Sequence, residues 1–376
     1  MSDLLAERGA LGASAAAVAD AGPLAFRVGE RAFTYRLAAG GVERVDGMDD
    51  AAAVVALPTA AWADFASQTR TFVNLFLAGE LTFERGHFEH LADWDPVLKL
   101  VHAGIPIYDP ARADLSGIDL RRTFTPAADG AELRHYLDVT GFLHVRGVFS
   151  RSEMRALDDE IDRLAALARP GDDRSWWVTG DAGDEILCRL VYGGLRSPVV
   201  AGFEQDARVR RLGTLLDAAH RPAPDRMEGS AILLKVPGAT SGLSNIPWHQ
   251  DCGMGGHAVF CPAVGVGIQV TGASADTGRL VLVPGSHGQT LPYRWEERLR
   301  DVPVVAIDTE PGDVTVHVQD LTHASPQPTG PGGRRTMYVT HYPPSLWSHV
   351  GPGQAFNDLV RNRGRETAAL GSSSIA

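Results

Sequence analysis

The feature that most constrains the fold lies in the later part of the chain. From Ser230 onward, short β-compatible runs alternate with glycine and proline turns: Ala231 to Val236, Val259 to Phe260, Val264 to Val270, Arg279 to Val283, Val302 to Ile307, Val314 to Val318 and Thr336 to Tyr342. Many short strands with such punctuation bury their apolar faces only against a second sheet or around a barrel. The region therefore predicts a sandwich or double-stranded barrel. Just upstream, Leu133 to Thr140 reads as a short helix that leads through Gly141 into a strand. Ser150-Arg-Ser-Glu153 is a capping box, opening a helix that continues to about Ala168.

The first hundred residues have a different pattern. Residues 24–46 are β-compatible runs separated by Gly29-Glu30 and Gly40-Gly41, a meander, and Ala53 to Leu57 is a further apolar run. Trp62, Phe65, Phe72, Leu75 and Phe76 fall at helical spacing, which predicts one helix from Ala60 to Ala78, stopped by Gly79. A strand at Leu81 to Phe83 and a helix at Phe88 to Val101 follow, and then Pro, Ala, Asp and Gly accumulate. The expected organisation is an N-terminal segment (1–19), a small α+β domain (20–108), a linker (109–130), a second domain (131–362) and a tail (363–376), an α+β chain overall.

Composition narrows the partners. A formal charge of −11 repels phosphate backbones, so nucleic acid is not an expected partner. The three cysteines, Cys188, Cys252 and Cys261, are too sparse for a disulfide framework or a zinc ribbon, which points to a reducing cytoplasm. The start of the chain lacks a basic stretch followed by a long apolar run, so no signal peptide is expected. No segment reaches the roughly 18–20 apolar residues that span a bilayer.

The chemistry concentrates in Asn245-Ile-Pro-Trp-His249-Gln-Asp251. Residues two apart on a strand share a face, so His249 and Asp251 can offer an imidazole and a carboxylate to one ion. A second imidazole from a distant strand would complete a two-histidine, one-carboxylate set. That set leaves three positions open, as Fe(II) needs to bind a cosubstrate and O2 together. The pair alone is not distinctive: His87-Phe-Glu89 repeats it, at the expected start of a helix, and reads as a solvated helix start. The context of His249 and Asp251 is more specific. Asp276-Thr-Gly278 opens a strand that ends at Pro284-Gly-Ser-His287; the turn Pro311-Gly-Asp313 precedes an alternating strand; His323-Ala-Ser-Pro326 follows, and then Arg334 and Arg335.

From Leu133 to Tyr342 the chain resembles the phytanoyl-CoA dioxygenase family of Fe(II)/2-oxoglutarate oxygenases. The resemblance rests on Gly141 to Phe149, Trp248-His-Gln-Asp251, Gly278 through His287, Gly312-Asp313, and His323-Ala-Ser325 followed by Arg335. It implies a double-stranded β-helix, or jelly roll, and an enzyme that oxidises a C–H bond of a small organic or lipid-like molecule with release of succinate and CO2. By the same resemblance, His249, Asp251 and His323 are the iron ligands, and Arg335 binds the distal carboxylate of 2-oxoglutarate. Arg335 is preferred to Arg334 because it lies six residues before His341, as the matching family arginine does before a similar position. Ser325 resembles a second contact to that carboxylate, and Lys235 and Gln269, on expected barrel strands, are further candidates. The gap from Gly312 favours His323 over His317, which reads as a packed strand histidine. Asp251 is present where halogenating relatives lack a carboxylate, which favours oxygen-atom chemistry; desaturation, epimerisation and cyclisation stay open.

Residues 20 to 108 resemble sterol-carrier-protein-2-like domains, on the meander, the segment Trp62 to Phe76 and Leu77 to Gly86. That implies lipid binding and presentation of an apolar or carrier-bound substrate; a packing or dimerisation module is an equal alternative. For the whole chain the rival reading is a non-catalytic metal- or lipid-binding protein on an oxygenase fold. Substrate-lining candidates are the segments from about 170 to 230 and 288 to 301.

Overall fold

The structure is a computed structural model and describes residues 20–38, 41–109, 114–180, 182–239, 245–251 and 260–346. The expected N-terminal segment, the tail, Cys252 and the first residue of the Val259 to Phe260 strand lie outside them. The described residues divide into two compact units. One holds residues 20–109 with Phe260 and Ser286–Pro303; the other holds 114–251, Cys261–Gly285 and 304–346.

In the first unit, β1 (Leu24–Val28), β2 (Arg31–Ala38), β3 (Gly41–Asp46), β4 (Ala53–Leu57) and β5 (Thr82–Arg85) form a sheet of order β3-β2-β1-β4-β5. β1 and β4 are parallel, and the other pairs antiparallel. The single helix expected from Ala60 to Ala78 is two, α1 (Thr59–Ala66) and α2 (Phe72–Leu77). The break falls at Gln68, whose φ of 59° ends the first helix, and Thr71 caps the second by accepting from Asn74 N. Helix α3 (Phe88–Ala103) ends at Gly104 in the left-handed region. His87 sits before its first turn, its backbone N donating to His90 Nδ1, so His87 and Glu89 are helix-start residues. Phe26, Phe33, Tyr35, Trp62 and Phe65 pack on one another with ring centroids 4.9–6.1 Å apart. Ser286–Pro303, within the domain expected over 131–362, packs with this unit. Tyr108 N donates to Thr290 O and Thr290 N to Pro106 O, and Tyr293 packs against the unit's core.

The second unit opens with α4 (Gly130–Thr140), capped by Asp129 and closed by Gly141, then β6 (Phe142–Val145) and α5 (Arg151–Leu167). The expected capping box is present: Glu153 N donates to Ser150 Oγ, and Ser150 N to Glu153. β7 (Ser175–Thr179) and β8 (Glu185–Leu190), which the sequence reading left unassigned, form a hairpin. Short helices α6 (Gly193–Arg196), α7 (Pro198–Glu204) and α8 (Ala207–Gly213) follow. The remaining strands are β9 (Arg221–Pro222), β10 (Ala231–Lys235), β11 (Ile246–His249), β12 (Val264–Gln269), β13 (Leu280–Leu282), β14 (Val305–Ile307), β15 (Val314–Val318), β16 (His323–Ser325) and β17 (Arg334–Tyr342). They make two antiparallel sheets: a large one of order β6-β15-β12-β17-β10-β8-β7, with β9 on β17, and a smaller one of order β11-β16-β13-β14. This is the α+β, jelly-roll architecture expected.

Strand parity sorts the large sheet. Ile232, Leu234, Val264, Val266, Ile268, Val314, Val316, Met337 and Val339 join the core that includes Leu133 and Leu137 of α4, Leu157 and Ile161 of α5, and Val209 and Leu212 of α8. Their alternating neighbours, Leu233, Lys235, Gly265, Gly267, Gln269, Thr315, His317, Arg334, Thr336 and Tyr338, therefore face the other way. One face is apolar and packs on helices, and the other carries the polar groups. The turn at Pro311-Gly-Asp313 is fixed by Asp313, which accepts from Gly147 N at 2.9 Å and Glu310 N at 3.0 Å and bonds His144 Nε2 at 2.9 Å. Gly312 has φ of 96°, and a Cβ there would collide with the Phe149 carbonyl.

Candidate metal centre

β11 pairs with β16 so that His249 stands opposite His323, with ring centroids 4.3 Å apart. Asp251, two residues beyond His249, is anchored by its own N donating to Gln319 O at 2.9 Å. One ligand atom from each of His249, Asp251 and His323 falls within 4.8 Å of the others. Each imidazole is oriented from behind. Nδ1 of His249 bonds Pro247 O at 2.8 Å, and Nδ1 of His323 bonds Leu321 O at 2.8 Å. A carbonyl only accepts, so both Nδ1 atoms carry a proton, and in the neutral rings both Nε2 atoms present lone pairs. Those lone pairs face the same carboxylate oxygen, Asp251 Oδ1, at 3.2 Å and 3.6 Å. In that form three acceptors converge on one point, which calls for a cation.

The charge states agree. Burial, with neighbouring His249 and His317, pushes His323 down to about 3, so it is neutral at pH 7. Burial works to raise Asp251, but His323, His249 and His317, where they turn a proton toward it, outweigh that push and hold the carboxyl well below its usual range. A neutral imidazole and an ionised carboxylate are the ligand forms a metal takes. His317 lies behind Asp251: Nε2 is 3.2 Å from Oδ2, and the side chain is 2% exposed. It bonds the oxygen turned away from His249 and His323, which matches a residue that orients the carboxylate rather than a fourth member of the cluster.

An arginine and a lysine are buried farther along the same face. Arg334, 1% exposed, donates to Gly278 O (2.7 Å), Thr336 Oγ1 (2.9 Å), Tyr338 OH (2.9 Å) and Ser325 Oγ (3.1 Å), all neutral acceptors. Lys235 Nζ donates to Pro326 O at 2.6 Å and to Ser325 O. Burial, with the Arg334 charge beside it, holds Lys235 well below the usual lysine range. Gly278 makes the corner: its φ is 73°, and a Cβ would strike the Pro326 carbonyl and press on Lys235 Cδ.

Arg335 requires a correction. It shares the parity of Met337 and Val339 and turns to the helical side, where its guanidinium pairs with Asp158 and Asp162 of α5 at 2.7 Å each. His341, the residue from which Arg335 was spaced, has that same parity, so the spacing selected the wrong face; Arg334 is the inward arginine. Gln269 is inward but occupied. Its Nε2 donates to Thr315 Oγ1 (3.0 Å) and Gly267 O (3.2 Å), and its Oε1 accepts from Thr336 Oγ1 (3.2 Å). It braces Thr336 and Thr315 rather than offering a free group. Ser325 bridges Gly278 O and Arg334.

A two-histidine, one-carboxylate set on antiparallel strands of a jelly roll defines a mononuclear non-haem metalloenzyme. The family model described as phytanoyl-CoA dioxygenase (PhyH) matches residues 137–336, just over half of the chain. The chain belongs to that family. Among solved structures, it is similar to AviO1 from Streptomyces viridochromogenes Tue57 (22% identity, TM-score 0.47, covering 58% of this chain and 96% of that one). It is also similar to the non-heme alpha ketoglutarate dependent epimerase SnoN from nogalamycin biosynthesis (18%, 0.46, 57% and 80%). A third likeness is to apo EctD from S. alaskensis (21%, 0.49, 66% and 89%). Comparison with curated proteins gave no match.

Proposed function

We propose that the chain is an Fe(II)- and 2-oxoglutarate-dependent oxygenase that oxidises a C–H bond of a small organic molecule. The convergence of two Nε2 lone pairs and Asp251 Oδ1, with both imidazoles tautomerically fixed from behind, carries the reading. His249, Asp251 and His323 would hold the iron. Arg334, with Ser325 and Lys235, would hold the distal carboxylate of 2-oxoglutarate: a buried guanidinium whose partners are all neutral is matched by an anion, and its planar fork suits two carboxylate oxygens. When bound, iron and 2-oxoglutarate supply the oxidising power from O2, with succinate and CO2 as coproducts.

The protein's own residues bind and orient. Pro247 O and Leu321 O fix the imidazole tautomers, His317 sets the angle of the Asp251 carboxylate, and Tyr338 and Thr336 hold the Arg334 fork in plane. For the first unit, the mutual packing of Phe26, Phe33, Tyr35, Trp62 and Phe65 supports a packing module over a lipid tunnel. No helix of the described residues is long and apolar enough to cross a membrane.

The test is succinate release from 2-oxoglutarate with Fe(II), ascorbate and O2. Wild-type protein should release succinate slowly without substrate, and Asp251→Ala should not. Equal release by both, at equal iron content, would remove the assignment.

A further inference from the structure

We propose that Arg189 and Glu228 form the substrate-recognition subsite of this centre, and that it takes a neutral, hydroxyl-rich molecule rather than an acyl chain or a carboxylic acid. The inference rests on the function proposed above and names its substrate class.

Register places the pair. Arg189 on β8 stands opposite Leu233 of β10, Leu233 opposite Thr336 of β17, and Thr336 opposite Gln269 of β12. Paired residues share a face, so Arg189 lies in the row of the sheet that carries the inward polar groups. Its guanidinium stacks on the Trp176 ring, 4.8 Å from the centroid, and its Nη1 donates to Glu228 Oε2 at 2.7 Å. Glu228 precedes β10, whose first residue, Ala231, stands opposite Tyr338; that ring is 6.2 Å from His317, which bonds Asp251.

Both carboxylates remain partly accessible: 28% of the Glu228 side chain and 33% of the Asp251 side chain.

The ion pair is only half used. One terminal nitrogen meets one carboxylate oxygen; Nη2 and Oε1 make no hydrogen bond among the described residues and are not sealed from solvent, whereas Nε is buried without a partner. Nη2 and Oε1 thus present a donor and an acceptor side by side. A hydroxyl group satisfies both, accepting from the first and donating to the second, and a vicinal diol does so twice. A carboxylate would compete with Glu228 for the Arg189 guanidinium and has no hydrogen to give Oε1. An alkyl chain would desolvate an ion pair without replacing its hydrogen bonds.

The test uses full-length protein loaded anaerobically with Fe(II) and 2-oxoglutarate, with the visible charge-transfer band as the binding signal. The probes are methyl glycosides and cyclitols, linear C4–C12 carboxylates, and acyl thioesters. Hydroxylated probes should shift the band and stimulate succinate release, and their affinity should fall at least tenfold in Arg189→Met and in Glu228→Gln. The 2-oxoglutarate titration run on each variant shows whether its iron site has survived. Response only to carboxylates or thioesters, response to no hydroxylated probe, or unchanged affinity in both variants overturns the subsite. Absence of the band in wild-type protein overturns the oxygenase function along with it.

Discussion

Exchanging the two adjacent arginines separates inward from outward function at one peptide bond. In Arg334→Met the buried fork is lost from beside Ser325 and Lys235. A charged hydrogen bond contributes about 1.5–3 kcal/mol. Two-point binding to a carboxylate therefore amounts to roughly 3–5 kcal/mol, with Lys235 retaining part of the attraction. At about 1.4 kcal/mol per tenfold, 2-oxoglutarate should bind roughly a hundredfold more weakly or worse. The protein without cosubstrate should change little in stability, because the lost bonds to Gly278 O, Thr336 and Tyr338 are offset by removing a buried charge whose partners are neutral. Arg335→Met loses only its part-exposed pairs with Asp158 and Asp162, worth about 1 kcal/mol of stability together, and should leave 2-oxoglutarate affinity unchanged. The assay is an anaerobic calorimetric titration of the iron-loaded variants, with denaturant unfolding alongside. Loss of 2-oxoglutarate binding in Arg335→Met with its retention in Arg334→Met would refute the parity argument.

Three further outcomes are expected. His317→Leu should weaken Fe(II) binding about 10–100-fold, with His317→Gln, which keeps a donor for Asp251 Oδ2, recovering part of it; metal titration reads both. Gly278→Ala forces a side chain into a φ of 73° against the Pro326 carbonyl, and should destabilise the fold by at least about 1–3 kcal/mol in denaturant unfolding while weakening 2-oxoglutarate binding. Burial lowers His341 from 6.5 to about 4, against Gly213 and beside His220, with neither ring nitrogen partnered among the described residues. The unfolded chain then takes up the proton first, so this contribution is complete above pH 6.5 and is lost as pH falls toward 4. At about 1.36 kcal/mol per unit over roughly 2.5 units, the loss is about 3 kcal/mol. His341→Leu should flatten that acid limb in pH-dependent unfolding.

Much of the site was legible because its signals are local. His249 and Asp251 lie two apart on a strand, and the turn residues that frame β13, β15 and β16 are adjacent in sequence, so spacing made the pair a candidate and the family resemblance singled it out. Ser150 to Glu153 announced α5 for the same reason. What escaped depends on which way a residue faces or on who its distant neighbours are. Arg334 and Arg335 differ only in parity, and the apolar positions Met337 and Val339 carried that answer: they mark the helical face, and Arg335 shares it. The break at Gln68 was hidden because Phe65, Phe72 and Leu75 keep apolar spacing across a turn whose positive φ no composition signal announces. β7 and β8 were missed because that hairpin mixes Trp, Cys and Arg without a clean alternation. The ion pair of Arg189 with Glu228 joins residues 39 apart, and nothing local marks it.

The central claim is that two imidazoles and a carboxylate meet on one metal. Its most direct test is a crystal structure of the protein with Mn(II) in place of iron and 2-oxoglutarate, using the metal's anomalous signal. A single peak bound by Nε2 of His249, Nε2 of His323 and Oδ1 of Asp251 is expected, with His317 outside the coordination sphere. A peak that excludes His323, or one bound by His317 in its stead, would contradict it.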